Sequence, residues 1–184
     1  MNTSIWQEII RQIQAGTSEK SHPFRYATLA TVGLETLPRL RTVVLREFDP
    51  QTLRITFYTD TRSKKMLHIK ENNRVSLLLF HHENQLQIRI EGLAIRERSP
   101  ELLQERWSHL HAASRLDYTS VLSPGTEIAS PEKVDYMKEE GNLFFGMVHI
   151  APFKIEYLKL SRPKNTRVRF SKRGSGWTSD YLVP

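Results

Sequence analysis

Arg41-Thr42-Val43-Val44-Leu45-Arg46 and, after an Asp49-Pro50-Gln51 turn, Phe57-Tyr58-Thr59-Asp60-Thr61-Arg62-Ser63-Lys64-Lys65 set the terms for the whole chain. Each half is a short apolar, β-branched or aromatic run bordered by cations and hydroxyls, the composition of a strand that ends at a polar site. The second half leads directly into Met66, Leu67 and Ile69, a helical pattern. A strand-to-helix junction offers free backbone N–H groups, and hydroxyls and permanent cations complete a phosphate site there. Arg41, Arg46, Thr59, Ser63, Lys64 and Lys65 fall within reach of one phosphate group on this reading. The same run also reads as a solvated basic turn before a surface helix. The arginine at each end of Val43-Val44-Leu45 favours the phosphate, because solvation alone explains a buried strand with two such flanks poorly.

Outward from this stretch, about eight strands are expected, with helices between some of them. Residues 4–15 predict a helix, with Ser4 and Gln7 as a capping box and Ile5, Ile9, Ile10 and Ile13 as the apolar stripe. Gly16 ends it, and 17–23 is a polar linker. Strands are predicted over 24–32 and 37–48 across a Gly33-Leu34-Glu35 turn, with Pro38 tolerable at a strand start or edge. A third strand covers 53–59, and a helix covers 63–71 with Asn72-Asn73 as its stop. Residues 75–80 are almost continuously apolar, the pattern of a strand buried on both faces. Residues 86–91 alternate strictly, and Gly92 predicts a bulge or bend before a continuation over 93–98.

Ser99-Pro100-Glu101 signals a helix start running to about Leu110. A shorter helical stretch is expected over 114–121. Ser130-Pro131-Glu132 repeats the start signal for a helix to about Glu140, closed by Gly141. Strands are expected over 143–149, 154–160, 166–171 and, after a Gly174-Ser175-Gly176 hairpin loop, 177–183. Short loops make these strands mostly antiparallel, and so many of them close into a barrel or sandwich to remove open edges. The expected class is mainly β (α+β), as one domain over residues 1–184.

Composition narrows the function. With 39% hydrophobic and 26% charged residues, the chain reads as a folded globular protein. No apolar run approaches the roughly 20 residues that cross a bilayer, so no membrane partner is expected. The start, Met1-Asn2-Thr3-Ser4-Ile5-Trp6, lacks the basic and apolar regions of a secretory signal, and the expected compartment is the cytoplasm. The absence of cysteine excludes disulfides, thiolate metal sites and Cys nucleophiles. The net charge of +7 is concentrated after residue 152, where eight Lys or Arg face only Glu156 and Asp180. So local an excess points to an anionic ligand or partner near the C-terminal segment.

Arg41–Arg46, Phe57-Tyr58-Thr59, Ser63-Lys64-Lys65 and the following Asn72-Asn73-Arg74-Val75-Ser76-Leu77-Leu78-Leu79 resemble the pyridoxamine 5′-phosphate oxidase family in order and spacing. Leu86-Gln87-Ile88-Arg89-Ile90-Glu91-Gly92 resembles the family's Gln-containing strand. The likeness is strong over residues 39–98. It thins over 143–184 to Ile155-Glu156-Tyr157 and the closing Tyr181-Leu182-Val183-Pro184. The resemblance implies an antiparallel split β-barrel with peripheral helices, and a homodimer with FMN in clefts between subunits. It implies that Arg41, Ser63, Lys64 and Lys65 hold the FMN phosphate. Main-chain groups around Thr42, Val43, Val44 and Leu45, and around Tyr58 and Thr59, would lie along the rest of the cofactor. Gln87 would hydrogen-bond the flavin, and Ser123 would approach it from the other subunit. Gln87 equally suits an ordinary outward position in an alternating strand, and Ser123 a loop hydroxyl. Arg46 stands where the family has a lysine, a planar fork in place of a point charge.

The departures concern the substrate. The Tyr, Arg and Ser with which the family's oxidase grips a substrate phosphate fall at Glu105, His109 and Ala113. An acid and an alanine cannot form that grip. The family's C-terminal Arg-Leu-His-Asp-Arg segment matches Lys164–Arg169 only in charge, with Arg167 or Arg169 placed to reach the flavin, and its aromatic flavin neighbour is Leu158 here.

Other chemistries find little support. His81-His82 and the His109/His111 pair lack carboxylates at ligand spacing and read as surface or edge histidines, so no metal site is expected. No Gly-x-Ser-x-Gly, Walker loop or Gly-x-Gly-x-x-Gly is present. Trp6, Trp107 and Trp177 read as core or interface residues. The leading expectation is an FMN-dependent oxidoreductase related to the pyridoxamine 5′-phosphate oxidases, with pyridoxamine phosphate or another small molecule as its substrate and its catalytic residues unassigned. A non-catalytic flavin-binding or sensing protein is the alternative. A basic barrel that binds nucleic acid through residues 153–184 is disfavoured, because few aromatics interleave its cations.

Overall fold

The structure is a computed structural model that describes residues 2–137 and 141–184. Strand β1 (Tyr26–Val32) turns Ala27, Leu29 and Thr31 inward. It pairs antiparallel with β2 (Pro38–Asp49), which turns Val43 and Leu45 inward. Strand β3 (Arg54–Asp60) follows β2, and α2 (Lys64–Glu71) starts after three intervening residues, the last of them the N-cap Ser63. Strands β4 (Arg74–His81) and β5 (Leu86–Arg96) form the next hairpin. The short helices α3 (Pro100–Ser108) and α4 (Ala112–Arg115) lead into a loop region before the long β6 (Phe145–Lys159). Strands β7 (Thr166–Arg173) and β8 (Gly176–Leu182) end the chain.

The sheet order is β3-β2-β1-β4-β5-β6-β7-β8, and β3 also pairs with β6. That pairing closes six antiparallel strands into a barrel, while β7 and β8 continue the sheet beyond β6. Leu29, Leu45, Ile55, Phe57, Leu77, Leu79, Leu86, Ile88, Ile90, Val148 and Ile150 fill the interior. Each such side chain contributes about 1.5–3 kcal/mol by leaving water. Helix α1 (Thr3–Ser18) buries Ile9 and Ile13 against this core, and Trp6 packs 5.0 Å from Phe170 and 5.2 Å from Trp177. A smaller cluster, Trp107, Tyr118, Phe145 and Met147, joins α3 and the following loop to β6. No helix among the described residues is long and apolar enough to cross a membrane.

Several local expectations need correction. The cap of α1 is Asn2, whose side chain accepts from the Ile5 N–H, and Ser4 donates to Asn2 instead of forming a box with Gln7. Strand β4 is not buried on both faces: Leu78 and Phe80 point outward and are exposed. A continuous apolar run here belongs to a barrel strand whose outer face is also apolar. The expected strands over 143–149 and 154–160 are one strand. Pro152 sits opposite Gly92 at a register shift where β6 carries the extra residue Phe153, and a residue without an N–H is tolerated there. The helix expected over 130–140 is a single 3₁₀ turn, Pro131–Lys133, and positions 138–140 lie outside the described residues. The stretch 114–121 divides between α4 and a 3₁₀ turn, Leu116–Tyr118. His81 is buried, not a surface residue, with its ring edge-on to His22 at 5.5 Å.

Gly92 is required by close approach. A Cβ there would lie 2.8 Å from the Ala151 carbonyl oxygen and 2.8 Å from Ile150 Cγ2. Since the first of these is backbone, Gly92→Ala should destabilise the fold by about 1–3 kcal/mol in urea unfolding. An unchanged midpoint would show that the β5–β6 bulge relaxes freely.

Candidate functional site

The main cavity opens on the outer surface of the barrel, where β2, β3, the start of α2 and the loop after α4 meet. It measures about 340 Å³ and is lined by Thr42, Val43, Val44, Arg46, Tyr58, Thr59, Asp60, Lys65, Asp117, Tyr118 and Pro124. Register in β2 shifts between Leu45 and Glu47, so Arg46 sits at a bulge. Bulges re-aim side chains and recur beside functional sites.

The polar end of the cavity lies at the β3–α2 junction. Lys65 Nζ donates to Thr59 Oγ1 at 3.0 Å and to Ser63 Oγ at 3.1 Å, and the two hydroxyls lie 3.3 Å apart. Ser63 makes no side-chain cap bond to α2, because its hydroxyl turns to this cluster instead. Burial and then the charge of Arg41 hold the Lys65 ammonium below its ordinary value. Burial and then Arg39 do the same for Arg41. Partly buried cations that repel one another are the electrostatic condition for binding an anion. Lys64 begins α2 and is exposed.

The other end is aromatic. Arg46 lies over the Tyr58 ring at 5.7 Å, and its Nε is buried without a hydrogen-bond partner among the described residues. Tyr58 donates to Glu47 Oε1 at 2.8 Å, which also accepts from Arg106 Nε at 2.7 Å. Burial and then the Glu47 bond raise the Tyr58 hydroxyl, and burial raises that of Tyr118. Both stay protonated at neutral pH.

Arg62 ties the loop wall to this floor. It bridges both Asp60 oxygens through Nε at 3.1 Å and Nη2 at 2.6 Å. It also donates to the Ser120 and Val121 carbonyls at 2.9 and 3.1 Å, and stacks 3.4 Å from the Phe144 ring centroid. The loop that supplies Asp117, Tyr118 and Pro124 is thereby latched beside Thr59 and Lys65.

The structure therefore gathers Thr42, Val43, Val44, Arg46, Tyr58, Thr59 and Lys65 directly, with Ser63 touching Lys65. Leu45 is wholly buried in the barrel, which leaves only its main chain for a ligand. Arg41 neighbours Lys65, while its Nη1 is held by Leu29, Thr31 and Arg39 oxygens. Gln87 is not in the cavity; it faces outward on β5 opposite Phe80, with β4 and β1 between it and β2. Ser123 lines a smaller, adjoining pocket of about 160 Å³ that shares Pro124 with the main one. Arg167 pairs with Glu156 at 2.9 Å on β6, away from the cavity. Sequence reasoning missed Asp60, Glu47, Arg106, Asp117, Tyr118 and Pro124, and it counts Arg62 among the phosphate-junction residues, whereas the structure commits it to Asp60. The Asp60-x-Arg62 spacing before a helix cap was the available signal; the loop residues carried none.

A split barrel with a cation-and-hydroxyl cradle beside aromatic side chains defines the class. The pyridoxamine 5′-phosphate oxidase FMN-binding domain matches residues 3–96, and the chain belongs to that family; its cofactor is FMN. The chain is 29% identical over 195 aligned positions to pyridoxine/pyridoxamine 5′-phosphate oxidase 2 of Arabidopsis thaliana, covering 97% of this chain and 96% of that one. It is 27% identical to the pyridoxine/pyridoxamine 5′-phosphate oxidase of Haemophilus influenzae, covering 85% and 78%. Among solved structures it is similar to a pyridoxamine 5′-phosphate oxidase-related, FMN-binding protein of Nostoc punctiforme, with TM-score 0.78, 25% identity and coverage of 97% and 96%. The fold is shared with PhzG of Burkholderia lata at TM-score 0.76, 19% identity and coverage of 99% and 92%. The cavity fits FMN. Its volume lies in the range of small-molecule sites, its cradle suits a phosphate, and Arg46 Nε offers an unused buried donor.

The Asp60–Arg62 pair is nearly closed to water on the acid side, with the Asp60 side chain 3% exposed. Arg62→Ala leaves that carboxylate buried and unpaired, and should cost about 3–5 kcal/mol in urea unfolding. A loss below about 1 kcal/mol, the level of an exposed pair, would show that the latch is dispensable.

Proposed function

We propose that the protein is a cytoplasmic FMN-dependent oxidoreductase that works as a homodimer on a small substrate lacking the phosphate handle of pyridoxamine phosphate. The observation that carries this reading is the convergence of Lys65, Thr59 and Ser63 at one end of a cavity whose other end holds Arg46, Tyr58 and Tyr118. Lys64, Lys65, Ser63, Thr59 and the free edge of Arg41 hold the FMN phosphate. Main-chain groups of residues 42–45 and 58–59 orient the rest. Bound FMN supplies reversible hydride or electron transfer. Arg46 presents a donor fork to the reacting face, and the neutral tyrosines with the Arg62-latched loop limit water there.

The proposed substrate class follows from α3. Glu105 carries a carboxylate paired with Arg106 at 2.6 Å, and His109 and Ala113 complete a set with no second phosphate grip. The same set also favours a second reading, a flavin carrier without turnover. Reduction of the bound flavin by a trial substrate separates the two.

The outer barrel surface supports dimerisation. Leu78 and Phe80 on β4 and Tyr26 on β1 are exposed beside the cavity, with Gln87 at their far side. Three strand spacings, roughly 14 Å, separate Gln87 from β2 of its own chain. A second copy seated on this face would bring its Gln87, and its Ser123 or Arg167, toward the first copy's FMN. Half of the C-terminal cations, Lys154, Lys159, Arg167 and Arg169, pair with acids of the same chain, which weakens the nucleic-acid alternative.

Purified protein should show flavin absorbance that returns when FMN is added after stripping. Lys64→Ala with Lys65→Ala should weaken FMN at least about tenfold, the loss expected for charge-assisted bonds. Lys172→Ala with Arg173→Ala should leave it unchanged. Equal losses would mean that the phosphate lies elsewhere. By sedimentation, the protein should run as a dimer and Leu78→Asp as a monomer; a monomeric wild type ends the interface model.

A further inference from the structure

Behind the phosphate-facing cations lies a buried polar relay. Arg41 Nη1 donates to Thr31 Oγ1 at 2.6 Å, to the Arg39 carbonyl at 2.8 Å and to the Leu29 carbonyl at 3.3 Å. Its Nε and Nη2 make no hydrogen bond to any described residue, so one edge of the fork is anchored and the other is open. Thr31 is 2% exposed, and its hydroxyl lies 3.0 Å from Nδ1 of His68, itself 8% exposed on α2. A hydroxyl has one proton and two acceptor positions, whereas a guanidinium only donates. Thr31 therefore accepts from Arg41, and its own proton is available to Nδ1 of a neutral His68 in the tautomer whose ring proton is on Nε2.

The surroundings of His68 explain why it is neutral without a ligand. Burial, followed by the charges of Arg41 and Arg39 from β2 and Lys64 from α2, holds it below the ordinary histidine value. The group facing it from β1 is the uncharged Thr31. A phosphate dianion on Arg41, Lys64 and Lys65 would oppose all three charges at once.

We propose that His68, acting through Thr31, positions Arg41 for the FMN phosphate and takes up a proton from solvent when that phosphate binds. The proposal rests on the phosphate placement given under the proposed function. The proton goes to Nδ1; Thr31 then accepts from both His68 and Arg41, and its own proton turns away. Arg41 keeps its anchor in both states. His68 is thus a positioning residue, not a catalytic one.

The sign follows from linkage. A group that is harder to protonate in the free protein than in the complex makes binding tighter as pH falls through the interval between its two values. That interval reaches from below the ordinary value of about 6.5 upward. The phosphate of FMN has its own second pKa near about 6 and works in the opposite direction. A ratio of wild-type to variant affinity cancels this ligand term.

The test is FMN binding, read by fluorescence quenching between about pH 5 and about pH 8, for wild type and His68→Asn, with His68→Gln as the substitute if Asn does not fold. The affinity ratio should favour wild type increasingly toward low pH, by up to about tenfold per pH unit. Riboflavin, which lacks the phosphate, should give a flat ratio. Thr31→Val should weaken FMN but not riboflavin, and Thr31→Ser should restore it. A flat FMN ratio, or equal losses for FMN and riboflavin, overturns the role of His68. If wild type prefers FMN over riboflavin at no pH, the phosphate placement itself is what fails.

Discussion

The pairing of β3 with β6 is the constraint on which the site depends. Without it β3 would be an edge strand, and the junction from Tyr58 to Lys65 would have no fixed place. With it, Thr59 lies opposite Gly146 and Asp60 opposite Phe145. The start of α2 is therefore held where β2 passes with Arg41 and Arg46. The aromatic cluster of Trp107, Tyr118 and Phe145 rests on the same stretch of β6. Barrel closure thus fixes both ends of the cavity, the cationic cradle from one side of β3 and the tyrosine-lined wall from the other.

That geometry has an electrostatic consequence. Lys65 and Arg41 are both partly removed from water and stand close enough for each to disfavour the other's charge. The fold tolerates this because Thr59, Ser63, Thr31 and backbone carbonyls supply neutral acceptors instead of carboxylates. An acid at these places would neutralise the cradle and occupy it. The nearest carboxylate, Asp60, is taken up by Arg62. Acceptors without charge keep the cations organised and leave their charge for a ligand, which is pre-organisation at a cost in stability.

How much of this was legible depends on whether a feature is local. Thr59, Ser63 and Lys65 could be read together because strand end, turn and helix cap are adjacent in sequence. The irregularity at Gly92 was legible for the same reason. The burial of β4 was misread because apolar continuity cannot distinguish a strand covered on both faces from one that keeps an apolar outer face. The single long β6 was divided because Pro152 reads as a break unless its partner Gly92 is known. Asp117, Tyr118 and Pro124 lie at the cavity beside the Arg62 latch and the aromatic cluster, contacts between segments far apart in the chain. No periodicity encodes such contacts.

The cationic and the tyrosine-lined ends of the cavity are built by different means. The cradle uses main-chain geometry of a barrel junction and short side chains, so its shape follows from the family fold itself. The opposite wall uses a loop with little regular structure, tied to the barrel among the described residues chiefly through Arg62 and Tyr118. Such a surface loop can change length and composition without disturbing the barrel. On the proposed reading, FMN binding persists while the wall opposite the cradle changes, and the proposed absence of a phosphate grip at Glu105, His109 and Ala113 beside a retained cradle is what such a division produces.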